Sequence, residues 1–279
     1  FTGPVVWTGA IFATAWEDRR DNDYEIYFNR FDKSGNKLGP DVRITNATEF
    51  SLHPHLIWNG AEFMLVWDDR RNGPNDFRIY GQRLDVDGNL LGDNIELTNP
   101  FWGAESPWIA EGEQRLALVF NMGNSVERKI GMRLFDPNFE NGSELISFDS
   151  NNGVTPNVVW NKDRYVVVYS KRTTVPDDTS YGVTVDENGI LLTPETPLTS
   201  GASFARTQSL LPLGDRLLLV WADDHDGNYE LYSKMLSPTL EELSPRERIT
   251  NDPADSVYPF AAFGPDGDVG VLFDDRRSG

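Results

Sequence analysis

The chain has 279 residues, 39% hydrophobic and 12% aromatic, which is enough to pack an interior and too many for a disordered segment. Its formal net charge of −19 argues against nucleic acid or an anionic membrane as partner, since both repel an acidic surface. It contains no cysteine, which excludes disulfides and thiolate metal sites.

No apolar run approaches the length of a membrane span, and no signal peptide stands at Phe1. A chain that does not begin with Met can be the mature part of an exported precursor.

From the N-terminus, Trp7 is followed nine residues later by Trp16, at the end of an apolar run. The later aromatic recurs at Trp67, Phe120, Tyr169, Trp221 and Phe273, at intervals of 51, 53, 49, 52 and 52 residues. The earlier one recurs at Trp58 and Trp160. Each repeat closes on a third marker: Ile44-Thr45, Leu97-Thr98, Ile146-Ser147, Leu198-Thr199 and Ile249-Thr250. Three markers in one period define an internal repeat.

Each repeat reads as four strands. The second repeat shows the pattern: a short first strand, His55–Trp58, then the tight turn Asn59-Gly60 and a second strand, Phe63–Trp67. That second strand is apolar on both faces and must therefore be covered on both. The third strand is Phe77–Leu84, with counterparts Tyr24–Phe31, Tyr181–Val185 and Tyr229–Leu236. It is left by Gly-containing hairpin turns such as Asp87-Gly88-Asn89. The Ile-Thr segment is the fourth strand.

Four short strands every ~50 residues, with aromatics between units, predict an all-β fold: a β-propeller of four-stranded blades. The whole chain, 1–279, is one such domain, with blades starting near Val5, His55, Trp108, Asn157, Ser209 and Phe260. First and second strands occur six times, third and fourth strands five, so the expectation is five full blades plus a half sixth blade. Either the ring is incomplete and another chain or domain completes blade 6, or it closes on a two-stranded blade.

The string Trp67-Asp68-Asp69-Arg70-Arg71-Asn72-Gly73, followed by Asp76-Phe77-Arg78-Ile79-Tyr80, resembles the W-x-D-x-R-N-G-x-x-D-I-Y repeat of bacterial and archaeal TolB-like propellers and related surface proteins. Blade 1 matches with Trp16–Arg20 and Tyr24–Tyr27, blade 5 with Trp221–Asp224 and Gly227–Tyr232, and blade 6 with Phe273–Arg277. Blades 3 and 4 depart from it at Asn121-Met122-Gly123 and Ser170-Lys171-Arg172. The resemblance implies an extracytoplasmic propeller that binds other molecules. The Ser-x-Asp-x-Gly-x-Thr-Trp string of the sialidase Asp-box is absent.

Loops joining strands two and three share one face with loops joining strand four to the next blade, and this longer set holds the candidate residues. Recurrence marks Asp18, Arg19, Asp223, Asp275 and Arg276 as structural, each carboxylate accepting from its own loop or a neighbouring Arg. Ligand-binding candidates are Trp102, His53, Asp69, Arg70, Arg71 and His225. Trp102 has no repeat equivalent and is the candidate stacking platform. No cofactor is implied, although calcium could sit on the hard oxygens of Asp21-Asn22-Asp23, Asp85-Val86-Asp87 or Asp223-Asp224-His225-Asp226. His53 and His55 would share a face of a regular strand.

These features favour a non-enzymatic binding or scaffolding propeller, extracellular, on a cell surface or periplasmic, taking a protein or glycan ligand on the face with the Asp-Arg loops. The alternative is a carbohydrate-active enzyme, a glycoside hydrolase or lyase using acid and base from the same loops, or a lectin-like glycan binder.

Overall fold

A computed structural model describes residues 2–21, 23–123, 127–148, 152–172, 178–199, 206–263 and 268–277. They form six antiparallel sheets, each a meander in chain order. The first contains β1 (Thr2–Trp7), β2 (Phe12–Asp21), β3 (Asp23–Phe31) and β4 (Val42–Arg43). The second contains β5 (Ser51–Trp58), β6 (Phe63–Asp69), β7 (Arg78–Leu84) and β8 (Leu90–Glu96). The third contains β9 (Glu105–Glu111), β10 (Leu116–Gly123), β11 (Arg128–Phe135) and β12 (Ile146–Phe148). The fourth contains β13 (Gly153–Asn161), β14 (Arg164–Arg172), β15 (Asp178–Val185) and β16 (Thr196–Pro197). The fifth contains β17 (Arg206–Pro212), β18 (Leu217–Asp223), β19 (Glu230–Leu236) and β20 (Glu247–Arg248). The sixth pairs only β21 (Ser256–Phe263) with β22 (Val269–Asp275). Among the described residues no helix is long and apolar enough to cross a membrane.

The chain divides into two compact units, residues 1–124 with 133–145 and residues 125–132 with 146–279. In the first, Phe28 and Ile26 of one sheet pack on Phe63, Leu65 and Trp67 of the next, and Met64 and Val66 pack on Leu116, Leu118 and Phe120 of the third. Strand β6 is buried on both faces along its whole length, as its unbroken apolar run requires. In the second unit, Val166 and Val168 pack on Leu217, Leu219 and Trp221. The sixth sheet leaves Leu272 73% exposed, where its counterparts Val66, Val119, Val168 and Val220 are fully buried.

The Trp marker at the end of the first strand is explained by an aromatic pair across the hairpin. Trp7 meets Phe12 at 4.5 Å, Trp58 meets Phe63 at 4.7 Å and Trp160 meets Tyr165 at 4.7 Å. Such pairs contribute about 0.5–1.5 kcal/mol beyond burial.

In four of the five complete blades the fourth strand lies earlier than expected, while in the third β12 contains the marker Ile146-Ser147. Pairing of β4 ends at Arg43, before the Ile-Thr marker, and the marker closes the ladder differently. Ile44 N–H still donates to Ile26 O (2.8 Å), and then the Thr45 hydroxyl, not a backbone carbonyl, accepts from Ile26 N (2.8 Å). Thr98 does the same for Ile79, Thr199 for Ser180 and Thr250 for Leu231. The side chain replaces one ladder acceptor so that the backbone can turn toward the next sheet. Thr98→Val keeps shape but strands the buried Ile79 N–H, and is expected to cost about 1–3 kcal/mol in urea denaturation.

Candidate active site

Every first strand carries a β-bulge at its start. Register shifts fall between Thr2 and Val5, Leu52 and His55, Val154 and Asn157, Arg206 and Ser209, and Val257 and Phe260; β9 shifts between Glu105 and Trp108. At four of these the backbone adopts the left-handed region on a residue other than glycine: His53 (φ 52°), Ser106 (φ 52°), Thr155 (φ 51°) and Tyr258 (φ 55°). Each precedes a proline, in His53-Pro54, Ser106-Pro107, Thr155-Pro156 and Tyr258-Pro259. Such backbone costs of order 1–3 kcal/mol and persists where the surroundings hold it, commonly at functional sites.

In the first unit those surroundings are acidic. Glu17 Oε1 accepts the His53 backbone N–H at 2.6 Å. Asp68 Oδ1 accepts the Ser106 backbone N–H at 2.9 Å and lies 2.7 Å from His53 Nδ1. Both carboxylates end a second strand and reach the bulge of the following sheet. Asp68 is buried, while the His53 side chain is 43% exposed. Burial alone opposes a charged imidazole there. The hydrogen bond and charge of Asp68, with the charges of Glu17 and Glu105, outweigh it, so the His53 pKa is raised. Glu17 and Glu105 are themselves half-buried. Three carboxylates and one imidazole of raised pKa thus converge on one bulge. At the equivalent bulge of the fifth sheet a neutral pair substitutes: Gln208 Nε2 donates to Ser170 Oγ (2.5 Å).

The bulge also separates the two histidines. His55 turns inward, stacks on Trp108 at 4.0 Å and accepts the Ile109 N–H at 3.3 Å. Burial pushes its pKa down to about 3. The expected shared face fails because the bulge breaks strand alternation. Asn157 and Ser209, at the same place after the bulge, likewise bond the backbone of the following first strand, at Gln208 O and Ala261 N.

The Asp-Arg loops build the blades. Asp69 is fully buried and accepts from Ser51 Oγ (3.1 Å), Trp67 Nε1 (2.9 Å), Arg71 N (2.7 Å) and Arg71 Nε (2.9 Å). Asp18 repeats this with Trp16 Nε1 and Arg20 N, Asp223 with Trp221 Nε1 and His225 N, and Asp275 with Arg277 N. Arg71 lies over Tyr80 at 4.0 Å, and Arg20 over Tyr27 at 4.3 Å. Asp69 as a ligand contact is therefore corrected: no face of its carboxylate is open. Arg19 lies over Tyr24 at 5.4 Å, Arg276 pairs with Asp255 at 3.1 Å, and the His225 side chain is exposed.

Trp102 is half-buried: it packs against the core of the first unit and stacks on Phe120 at 6.1 Å, while its neighbour Phe101 is the ring in that loop that stands 92% exposed. Several of the carboxylates considered for calcium bond within the protein. Asp85 accepts Asn89 N (2.8 Å), Asp87 pairs with Arg30, Asp21 bonds Tyr27 and Arg43, and Asp226 bonds Tyr232 and Arg248. Asn22 lies outside the described residues.

No family model matches the chain, and no curated protein matches it. Solved structures do. Trypanosoma rangeli sialidase, in complex with sialic acid, aligns with TM-score 0.68 at 8% identity, over 99% of this chain and 52% of that one. An α-L-arabinofuranosidase from Lactobacillus brevis aligns with TM-score 0.52 at 14% identity, over 95% and 92%. An endo-arabinase from Bacteroides thetaiotaomicron aligns with TM-score 0.51 at 14% identity, over 81% and 90%.

The fold is a β-propeller. Five sheets are complete blades and the sixth is a half blade. The reading of this propeller as a non-enzymatic binding or scaffolding module is corrected by the same comparison, since the propellers it resembles are named as glycosidases. The acidic bulge of blades 1 to 3 was not among the sequence candidates beyond His53. Its sequence signal is the X-Pro pair recurring at the start of the first strands, with an acidic residue just after Trp16 and Trp67.

Proposed function

We propose that this propeller is a carbohydrate-active enzyme, a glycoside hydrolase, whose reaction takes place where Glu17, His53 and Glu105 converge. The observation that carries the reading is the doubly held His53, with its backbone N–H on Glu17 and its ring on Asp68. Glycoside hydrolysis needs one acidic group to protonate the leaving oxygen and a second to act on the sugar or a water. Glu17 and Glu105 are the half-buried carboxylates placed to share that work. Asp68, buried and bonded twice, positions His53 and does not meet substrate. The raised His53 pKa keeps a proton beside both reacting carboxylates toward higher pH. Likeness to arabinan- and galactan-degrading propellers and to a sialidase supports a glycan ligand. A polymeric glycan is met outside the cytoplasm, so the reading places the chain in the medium, at a cell surface or in the periplasm.

The test is release of reducing ends from arabinan and β-1,3-galactan. Glu17→Gln and Glu105→Gln are each expected to lower the rate by about 10²–10⁴, with unchanged melting. Full rates in both variants, or no product from the wild type on any glycan, overturn the reading.

A further inference from the structure

Three arginines of the loops at this end of blades 1 and 2 pair with carboxylates. Arg20 pairs with Asp18 and Asp41, Arg71 with Asp69, and Arg78 with Asp76 and Glu96. Arg70 is different. Among the described residues it has no hydrogen-bond or ion-pair partner for its side chain, and its Nε is shut off from solvent without one. Its guanidinium lies over Phe77, 4.0 Å from the ring centroid, with Phe50 at 5.8 Å.

Comparison of repeats shows how this arose. Arg276 is the Arg70 counterpart in blade 6, and the two backbones make the same bond: Arg70 N to Phe50 O, Arg276 N to Asp255 O. Asp255 then pairs with the Arg276 guanidinium at 3.1 Å. In blade 2 a phenylalanine occupies the place of that aspartate. The Arg70 guanidinium therefore meets an aromatic clamp where that of Arg276 meets a carboxylate. A half-buried cation with its orientation fixed by rings and its internal partner removed is a receptor for an external anion. Because Nε is closed off, the accessible edge is the pair of Nη groups, which suits the two oxygens of a planar carboxylate. The clamp also reduces the ordering cost of binding. Arg70 follows Asp68 by two residues, and its backbone holds Phe50, three residues before His53. It thus belongs to the same end of blade 2 as the acidic bulge.

We propose that Arg70 recognises a carboxylate on the glycan, and hence that the substrate carries uronic acid units. The inference rests on the hydrolase reading for the word substrate, but not for the binding itself. It also explains how a chain of net charge −19 takes an acidic polymer: one unpaired cation supplies the local attraction that the overall charge opposes.

Affinity electrophoresis at low salt tests it, with polygalacturonate, its methyl ester, neutral arabinan and dextran sulfate in the gel. Polygalacturonate is expected to retard the wild type and the methyl ester is not. Arg70→Met should weaken retardation by at least about tenfold, the scale of losing a charge-assisted pair. Arg70→Lys, which keeps the charge without the fork, should fall between. The ester arm needs no variant, so misfolding of Arg70→Met cannot mimic the result. Equal retardation by acid and ester, retardation by dextran sulfate alone, an Arg70→Met variant that binds like the wild type, or no retardation at all would each overturn the inference. Hydrolysis separates the two readings. Uronate binding through Arg70 without cleavage of any glycan keeps this inference and overturns the hydrolase. Cleavage of neutral arabinan, with polygalacturonate and its methyl ester retarding the wild type equally, does the reverse.

Discussion

Asp69→Ala lowers the unfolding free energy by about 3 kcal/mol, because it removes an acceptor shared by several donors inside a blade. The indole N–H of Trp67, the backbone N–H of Arg71, the Arg71 guanidinium and the Ser51 hydroxyl all point at this carboxylate. The alanine leaves the buried indole N–H unsatisfied and frees Arg71 from its place over the Tyr80 ring. Melting is expected to fall by roughly 6–12 °C, at about 2–4 °C per kcal/mol for a large domain. Asp69→Asn keeps an acceptor for Trp67 and should recover part of the loss. Burial pushes the Asp69 pKa up, but the Arg71 and Trp67 bonds outweigh it and the pKa is lowered. The stabilisation is therefore full above the ordinary carboxylate range and lost as pH falls through the lowered value, so wild type and variant converge in acid. A melt unchanged at neutral pH contradicts the structural role.

Asp68→Asn has its largest effect on the pH profile of hydrolysis. The amide oxygen can still accept the Ser106 N–H, but the charge beside His53 is gone. The His53 pKa then falls toward its ordinary value. If protonated His53 supports the reaction, the alkaline fall in kcat/KM moves to lower pH and the rate at neutral pH drops by about 10². A merely structural Asp68 would change the rate without moving the limb. Stability follows the same linkage. The folded-state pKa of His53 is raised, so its contribution is full below about 6.5 and disappears as pH rises through the raised value. The gap between wild-type and Asp68→Asn melts should therefore narrow from pH 6 to pH 9. His55 acts in the opposite sense. Its pKa is depressed to about 3, so it opposes folding increasingly below pH 6.5.

The repeat was legible because its markers are residues that build blades. Trp67 stacks on Tyr80 and bonds Asp69; Trp16 and Tyr27, and Trp221 and Tyr232, repeat the arrangement. A motif that recurs in this way reports the fold, and it drew attention to Asp69 and Arg71, whose side chains are used up inside it. The site lies one residue away. Asp68 and Glu17 precede the repeated aspartates and point toward the next sheet, a distinction that strand alternation makes visible only once the bulge at His53 is known. Bulges are poorly legible because they shift register by one residue within an otherwise ordinary strand. Uniqueness in the repeat suggested an exposed Trp102; the ring is half-buried against Phe120, and the fully outward ring of that loop is Phe101. Arg70 was legible as a candidate, while its lack of a partner depends on Phe50 replacing an aspartate, which only the paired backbone bonds reveal.

If the proposed function holds, the bulge of blades 1 to 3 is where a glycan is cleaved. The most direct measurement is a crystal structure of the Glu105→Gln variant soaked with an oligosaccharide that the wild type cleaves. A sugar ring is expected within hydrogen-bond distance of Glu17, with a glycosidic oxygen facing the substituted position 105. A sugar bound at the opposite face, beside the tight turns Asn59-Gly60 and Asp87-Gly88, would contradict it.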